Sequence, residues 1–428
     1  MKNARTARHG WTVTLAGLGI NLALGVLYSW SVIAKALVAE WGWSAGTASI
    51  PYAVAVGTFA ITMVFAGWAQ DRFGPRIVAT AGGALAGLGL IISGFAGADA
   101  LPLVVVGFGL VTGMGIGLGY AAATPAAIKW FAAERKGLIT GLVVSGFGLA
   151  SVYIAPLTTS LLHTVGISGT FTTLGIAFFI LTIGLAQLIA DPPAGYVPEP
   201  VAARARTRDL ARTASAAAPR QYAWQEMIRT RQFVLLWLMY ACSAFAGLMI
   251  IGHMAKIAAA QLPGVALGFL LVAVLAIGNA AGRVVAGVVS DRIGGLRTML
   301  IVFVAQAALM LVMPRVGDPV ALSLVAACVG FCYGANLSLF PSTTADFFGT
   351  RNLGVNYGLV FTAWGVGGVF GSMTAGSIVD STGSYAGAYA IAAVLCAIAS
   401  VLSLVTKAPT PEKAQAVGSC DEVGARAA

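Results

Sequence analysis

Charged residues are scarce in this sequence. Asp, Glu, Lys and Arg together make up 9% of its 428 residues, whereas hydrophobic residues make up 58%. A soluble domain carries about 25% charged residues, because its surface must be compatible with water. The composition therefore excludes a soluble protein, and the mean hydropathy of +0.88 indicates an integral membrane protein.

Residues that bind metals or carry out covalent catalysis are also few. The five cysteines follow no disulfide or metal-binding spacing, and there are only three histidines. The glycine-rich stretch GMGIGLG at 113–119 lies within an apolar run and has no strand before it, so we interpret it as a site of close helix packing. Because there is no nucleophile–base pair either, we expect neither an enzyme nor a protein with a cofactor or a bound metal.

Long apolar runs dominate the chain instead. Twelve of them are roughly 20 to 27 residues long, which is enough to cross a bilayer as a helix. They cover residues 11–35, 46–69, 76–97, 101–127, 137–163, 168–190, 231–256, 264–290, 297–315, 319–345, 353–378 and 384–406. Residues 191–230 are rich in Pro, Ala and Arg and lack apolar periodicity. We therefore predict four parts: an N-terminal six-helix bundle (1–190), a cytoplasmic linker (191–230), a C-terminal six-helix bundle (231–406) and a disordered cytoplasmic tail (407–428).

Basic residues are distributed unevenly over the segments that connect the runs. With the N-terminus in the cytoplasm, 21 of the 25 Lys and Arg residues fall on the cytoplasmic side. Only Lys35, Lys256 and Arg315 fall near the other side, and Arg283 lies within a span. The positive-inside rule then places both termini in the cytoplasm, and we interpret the protein as a multi-pass protein of a bacterial cytoplasmic membrane. The net charge of +10 follows mostly from this bias, so we expect the lipid bilayer, and no nucleic acid, as a partner.

Two connecting loops share one pattern. The stretch GWAQDRFGPR lies at 67–76 and GVVSDRIGGLR at 287–297, and both fit G-x-x-x-D-R-x-G. Loops that match in two six-helix halves indicate an internal duplication. Their glycines permit close helix packing, their aspartates can cap or pair at helix ends, and their arginines can hold the loops at an anionic membrane surface. We therefore assign a role in conformational gating to Gly67, Asp71, Arg72, Gly74, Arg76, Gly287, Asp291, Arg292 and Gly294.

With these loops the chain resembles the major facilitator superfamily over essentially residues 10–406. The resemblance implies an all-α membrane fold of twelve transmembrane helices, in which two pseudo-symmetric six-helix bundles surround a central substrate cavity and rock about it. Three other stretches look like the oxalate/formate antiporter family, which is similar to the monocarboxylate transporters. They are YSW at 28–30, KWFAAERKGLITGLVVSGFGLA at 129–150 and LFPSTTADFFGTRNLGVNYG at 339–358.

Arg283 is a permanent positive charge inside the eighth run, whereas all fifteen acidic residues lie in loops or at helix ends. An arginine at a helix centre costs about 2.5–3.5 kcal/mol. Its side chain could extend to the inner interface or toward Asp291, or its counter-ion could be a transported anion. A guanidinium matches a carboxylate with two hydrogen bonds, and Asn279 lies one turn away on the same helix face.

The resemblance favours the second interpretation, because the related families carry an arginine at this position as a carboxylate ligand. Mammalian monocarboxylate transporters have Asp-x-x-x-Arg there, whereas this chain has Asn279, which does not titrate. The oxalate/formate antiporter also has a lysine in helix 11, where this chain has Trp364. One fixed cation balances one carboxylate, so a small monocarboxylate is favoured over oxalate. Further candidate cavity residues that match aromatic positions of the family, or lie next to one, are Tyr28, Tyr120, Tyr333 and Asn336.

We therefore predict a secondary active transporter of lactate- or pyruvate-like monocarboxylates that is coupled to protons and works as a monomer. His253 and Lys35, near the outer side, are the candidates for proton coupling. An unpaired arginine would hinder the return of an empty carrier, so carboxylate exchange is the alternative. A membrane sensor is a third class, although the polar linker is unsuited to fold as an output domain.

Overall fold

The computed structural model describes residues 2–193, 195–196, 221–262 and 268–409. Within these residues the regular secondary structure is helical throughout, which confirms the all-α prediction. Most of the predicted linker at 191–230 and nearly all of the predicted tail at 407–428 lie outside the described residues.

Within the described ranges, twelve helices, α1 to α12, are long and apolar enough to cross a bilayer, provided that one very long helix is divided. Lys136–Ala186 has 51 residues, and Gly166 breaks it with a φ of 68° and a ψ of −174°. Residues 136–165 form α5 and residues 167–186 form α6. The other helices are α1 His9–Trp41, α2 Ala45–Phe73, α3 Pro75–Gly94, α4 Leu101–Ile128, α7 Arg231–Gln261, α8 Gly268–Ile293, α9 Gly295–Val312, α10 Pro319–Phe348, α11 Leu353–Thr382 and α12 Ala386–Val405.

Two helices depart from regular α geometry inside their spans. α1 passes through a 3-10 turn at Gly25–Ser29, and α4 is π-helical at Val105–Thr112. Irregular turns of this kind change the direction in which the following side chains point, and they are frequent at functional sites. The turn in α1 contains Tyr28, one of the candidate cavity residues.

The two halves meet along two crossings of similar construction, α2 with α11 and α5 with α8. A Cβ atom added to Gly67 would lie 2.1 Å from the carbonyl oxygen of Gly354, and one added to Gly137 would lie 2.2 Å from that of Gly287. No side chain fits at such distances, so glycine is required at both crossings. Both crossings lie at the end of the bundle that carries the two D-R loops, which we call the loop end.

Candidate functional site

A cavity of about 390 Å³ lies between the two halves. Its floor, toward the loop end, contains the buried residues Tyr120, Arg283 and Phe361. Its other end is lined by Ser49 and Met373, which are exposed. The cavity is therefore closed toward the loop end and open toward the opposite end of the bundle. Its size is at the lower end of the range for small-molecule sites.

Arg283 lies at the cavity floor and is fully buried, with 0% of its surface exposed. Its Nε donates to Asn279 Oδ1 at 3.0 Å, and its Nη1 donates to the carbonyl oxygen of Val144 on α5. Nη2 forms no hydrogen bond with the residues that the structure describes. The side chain thus bridges the halves through two neutral acceptors and retains one unpaired nitrogen.

Space for this guanidinium comes from Gly148 on α5. A Cβ atom added there would lie 3.2 Å from Arg283 Nε and 3.3 Å from its Cζ, closer than ordinary van der Waals contact. One face of α5 therefore supplies both the carbonyl that accepts from Arg283 and the gap that the guanidinium occupies. Sequence reasoning missed both Val144 and Gly148, although they lie in the stretch 129–150 that carries the family resemblance.

No carboxylate neutralises Arg283 in the part of the chain that the structure describes. The ion pairs there are Lys129–Asp191 at 3.0 Å and Lys136–Asp346 at 3.1 Å, both outside the cavity lining. The complete burial of Arg283 also shows that its side chain does not extend to a membrane surface. The charge is held in the middle of the bundle next to a cavity that is otherwise mostly apolar and aromatic.

The candidate tyrosines and the tryptophan all line this cavity. Tyr28, Tyr120, Tyr333 and Trp364 form its wall together with Phe147 and Phe361. The Trp364 indole Nε1 donates to the Tyr333 hydroxyl at 2.9 Å. Because an indole N–H can only donate, the Tyr333 oxygen is the acceptor, and its own proton is free to be donated to another group. Trp364 therefore orients Tyr333 as a donor.

Three other candidates lie outside the cavity lining. Asn279 uses its amide oxygen to hold Arg283. Asn336 is buried, and neither polar atom of its amide group has a hydrogen-bond partner among the described residues. Lys35 is exposed on α1.

His253 lies behind the cavity wall on α7. Its Nε2 contacts the carbonyl oxygen of Ser372 at 3.2 Å, and its Nδ1 contacts the Tyr385 hydroxyl at 3.2 Å. A carbonyl oxygen can only accept, so Nε2 carries the proton and Nδ1 accepts a hydrogen bond from the Tyr385 hydroxyl. Ser372 lines the cavity, so His253 is connected to the cavity by a single hydrogen bond.

At the loop end, each D-R loop caps a helix of the opposite half. Asp71 accepts hydrogen bonds from the backbone N–H groups of Gly354 and Val355 at the start of α11, at 3.3 and 3.0 Å. Asp291 accepts from Gly137 and Leu138 at the start of α5, at 2.7 and 2.8 Å. A carboxylate at a helix N-terminus also interacts favourably with the helix dipole. The two caps follow the same plan.

The remaining loop residues shape and anchor the turns. Gly74 and Gly294 have φ values of 86° and 92°, which favour glycine at both turns. The Arg72 guanidinium lies 5.5 Å from the centroid of the Trp68 ring, and Arg76 Nε donates to the carbonyl oxygen of Ile189 at 3.3 Å. Lys136 and Asp346 add an ion pair between the halves. Gly67 and Gly287 lie at the crossings, and Arg292 lies in the last turn of α8.

The sequence matches the family model of the Major Facilitator Superfamily over residues 12–372 and again over 257–421. The chain belongs to this superfamily. It is 30% identical to an uncharacterised transporter of the major facilitator type, YhjX of Escherichia coli, over 85% of this chain and 86% of that protein. These matches confirm the family and the membrane fold that the repeated loops predicted.

Two other relatives are named for their substrates. The oxalate:formate antiporter of Oxalobacter formigenes is 29% identical over 91% of this chain and 90% of its own length. Monocarboxylate transporter 13 of Bos taurus is 25% identical over 90% of this chain and 86% of its own length. The crystal structure of the E. coli fucose:proton symporter FucP superposes with a TM-score of 0.67 at 16% identity, covering 91% of this chain and 97% of that one, which shows the shared fold.

Proposed function

We propose that this member of the major facilitator superfamily transports small monocarboxylates such as lactate or pyruvate, together with protons, by alternating access. One observation carries the proposal. Arg283 is fully buried at the floor of a cavity shared by both halves, has no carboxylate partner among the described residues, and keeps Nη2 unpaired. An anionic cargo would supply the missing charge, and the Tyr333 hydroxyl would donate a second hydrogen bond to it.

The cavity favours a single carboxylate over two. Among the residues that line it, Arg283 is the one cation, and Trp364 stands where the oxalate/formate antiporter family has a lysine. A dianion would therefore retain an uncompensated negative charge in a site of low dielectric, at a cost of several kcal/mol. The large indole ring also reduces the space available, so a small organic acid fits better than a long one.

His253 is the group that we propose to carry the proton. It is hydrogen-bonded to the Ser372 carbonyl at the cavity wall, and its Nδ1 can accept a proton without breaking that bond. Lys35, which is exposed and outside the cavity lining, is the weaker candidate. By the positive-inside rule the loop end faces the cytoplasm, so the cavity described here opens to the outside. We further propose that the protein works as a monomer in a bacterial cytoplasmic membrane.

Carboxylate exchange is the second candidate function. The relative from Oxalobacter formigenes is named as an antiporter and is 29% identical to this chain. An exchanger reorients only while an anion is bound, so its arginine never has to cross between the two states without a counter-ion. The hydrogen bonds from Arg283 to Val144 and Asn279 reduce that penalty, so they support the proton-coupled mechanism over exchange.

Uptake into proteoliposomes tests both functions. The purified protein is reconstituted, and uptake of labelled lactate, formate and oxalate is measured with and without an inward proton gradient. We expect lactate uptake that the gradient stimulates and weak uptake of oxalate. Flux that ignores the gradient but requires an internal carboxylate would instead establish exchange. Saturable oxalate transport at low concentration would contradict the argument from a single cation.

Two substitutions of Arg283 test the site. Arg283→Gln removes the charge and should abolish lactate uptake, whereas Arg283→Lys keeps the charge without the planar fork and should retain weak activity. Arg315 supplies the matched control, because it is an exposed arginine just after α9, at the end of the bundle opposite to the D-R loops. Arg315→Gln should transport lactate at the wild-type rate. Normal lactate uptake by Arg283→Gln would remove Arg283 from the proposed site.

A further inference from the structure

Three tyrosines are buried on the loop side of the cavity floor, on three different helices. Tyr120 on α4, Tyr240 on α7 and Tyr357 on α11 are 2%, 1% and 2% exposed. Among the described residues, none of their hydroxyl groups has a partner outside the cluster, although the Tyr357 hydroxyl is close enough to interact with those of Tyr120 and Tyr240. Buried polar groups in native proteins are usually satisfied by hydrogen bonds. These three hydroxyls have at most one another as partners.

The three rings surround a single phenylalanine. The ring centroid of Phe361 lies 5.8 Å from that of Tyr120, 6.2 Å from that of Tyr240 and 5.7 Å from that of Tyr357. The tyrosine hydroxyls are also close enough to interact electrostatically with one another and with Arg283. The cluster is therefore a polar site next to the proposed carboxylate ligand.

Phe361 separates Tyr240 and Tyr357 from the open cavity. It lines the cavity floor, stacks on Trp364 with the ring centroids 4.9 Å apart, and contacts Phe59 of the other half at 5.5 Å. Of the three tyrosines, Tyr120 reaches the cavity lining, whereas Tyr240 and Tyr357 are not among the lining residues. Tyr357 lies four residues from the loop-end start of α11, about 6 Å at 1.5 Å per residue.

We propose that Tyr120, Tyr240 and Tyr357 form a second carboxylate-binding position, on the cytoplasmic side of Arg283, that the anion occupies when the loop end opens. This inference rests on the proposed transport of monocarboxylates. Three neutral O–H donors match the acceptor sites of a carboxylate. Neutral hydroxyl groups bind a carboxylate more weakly than a guanidinium does, so an anion that has moved from Arg283 to the tyrosines dissociates more easily.

The geometry also explains why the hydroxyls have no partner outside the cluster in this conformation. With the loop end closed, Phe361 covers Tyr240 and Tyr357 on the cavity side, and the packed helices cover them on the other side. When α11 moves away from α2, Phe361 and Tyr357 move with it, because both lie on α11. The hydroxyls then line the inner half of the path, where the anion and water can reach them.

The test compares the two faces of the membrane. Protein is reconstituted in one orientation, and the apparent KM for labelled lactate is measured separately from the outer and the cytoplasmic face. Substitution of Tyr240 and Tyr357 by Phe, singly and together, removes the hydroxyls and keeps the rings. We expect the double variant to raise the cytoplasmic KM about tenfold, which corresponds to two modest hydrogen bonds, and to leave the outer KM within about twofold.

Tyr389→Phe is the matched control. Tyr389 is 1% exposed on α12, its hydroxyl accepts a hydrogen bond from Gln261 Nε2 at 3.4 Å, and neither residue lines the cavity. Loss of the Tyr389 hydroxyl should leave both the outer and the cytoplasmic KM unchanged. The single variants serve as a second measurement if the double variant folds poorly, and each should raise the cytoplasmic KM about threefold.

Two results would overturn the inference. If the tyrosine variants leave both KM values unchanged, or change them equally, the cluster is structural packing only. Such a result does not affect the proposed function, which depends on Arg283→Gln abolishing uptake. If the wild-type protein transports none of lactate, pyruvate or formate, the proposed function fails, and the second position fails with it.

Discussion

At the scale of single residues, the site depends on hydrogen bonds that leave one donor free. Arg283 has two of its nitrogens bonded to Val144 and Asn279 and one nitrogen unpaired. Tyr333 accepts from Trp364 and so keeps its own proton for another acceptor. Both arrangements follow from the chemistry of the partner: carbonyl and amide oxygens accept, and an indole N–H donates. This arrangement suits the proposed carboxylate substrate, because it leaves donors that the described residues do not engage.

Trp364→Phe should therefore weaken substrate binding. The substitution keeps an aromatic ring but removes the indole N–H, so Tyr333 loses the hydrogen bond that orients it. A hydrogen bond of about 1 kcal/mol corresponds to a rise of about fivefold in the KM for lactate. The maximal rate should change less than the KM, and uptake kinetics in proteoliposomes measure both.

Trp237→Phe is the control for that variant. The Trp237 indole donates to the Thr362 hydroxyl at 2.9 Å, so this hydrogen bond has the same chemistry as the one between Trp364 and Tyr333, but neither residue lines the cavity. The KM of Trp237→Phe for lactate should stay at the wild-type value. In a double-mutant cycle, Tyr333→Phe combined with Trp364→Phe should cost less than the sum of the single effects. Fully additive effects would show that the two side chains act independently.

At the scale of helices, the same arrangement of a helix cap and two glycines closes the loop end at two places. A D-R loop from one half caps the first turn of a helix in the other half, and a pair of glycines lets the two helices touch beside it. The caps bond to the second and third residues of α11 and of α5. Neither cap can persist if the halves separate here, so the loop end opens only when both break.

Asp71→Asn and Asp291→Asn should loosen the loop end locally. Each change keeps one acceptor oxygen and removes the charge that favours the helix N-terminus, a loss of about 0.3–2 kcal/mol. Hydrogen–deuterium exchange of the backbone amides measures this opening. Asp71→Asn should speed exchange at residues 354–355, and Asp291→Asn should speed exchange at residues 137–138.

Asp318 provides the control for these caps. It accepts from the backbone N–H of Ala321 at 2.8 Å and caps α10 within its own half, at the opposite end of the bundle. Asp318→Asn should speed exchange near residue 321 and leave the loop end and lactate uptake unchanged. Wild-type exchange rates at residues 137–138 and 354–355 in the loop variants would argue against a gating role.

At the scale of the whole molecule, the cavity is open at one end and closed at the other. The closed end carries both D-R loops, the caps and the Lys136–Asp346 ion pair. The open end is lined by exposed residues of α2 and α11, including Ser49 and Met373. The structure is thus one of the two states that alternating access requires, with the cavity open opposite to the loops.

The distribution of Lys and Arg predicts that the loop end faces the cytoplasm. Green fluorescent protein fused after residue 409 should therefore fluoresce, because it folds in the cytoplasm, and alkaline phosphatase at the same position should be inactive. Alkaline phosphatase fused after residue 97, between α3 and α4, should be active. The reverse pattern would invert the two sides, and the tyrosine cluster would then lie on the outer side of Arg283.

The sequence by itself determined the features that depend on composition and spacing. Apolar runs long enough for a bilayer set the number of helices, since an unpaired backbone is not tolerated in lipid. The repeated G-x-x-x-D-R-x-G loops predicted the two related halves and the superfamily, and the family model confirms the superfamily. Arg283 is a candidate substrate ligand on sequence grounds because a charge in an apolar run without an acid nearby needs a partner from elsewhere.

Only the tertiary structure decided what surrounds that charge. Val144 and Gly148 lie on α5, more than 130 residues from Arg283 along the chain, and nothing in the local pattern connects them. The same holds for the bond between Trp364 and Tyr333, for the caps across the halves and for the ring of tyrosines around Phe361. Such contacts depend on how whole helices cross, and a helical pattern fixes which face of a helix is apolar but not which helix it meets.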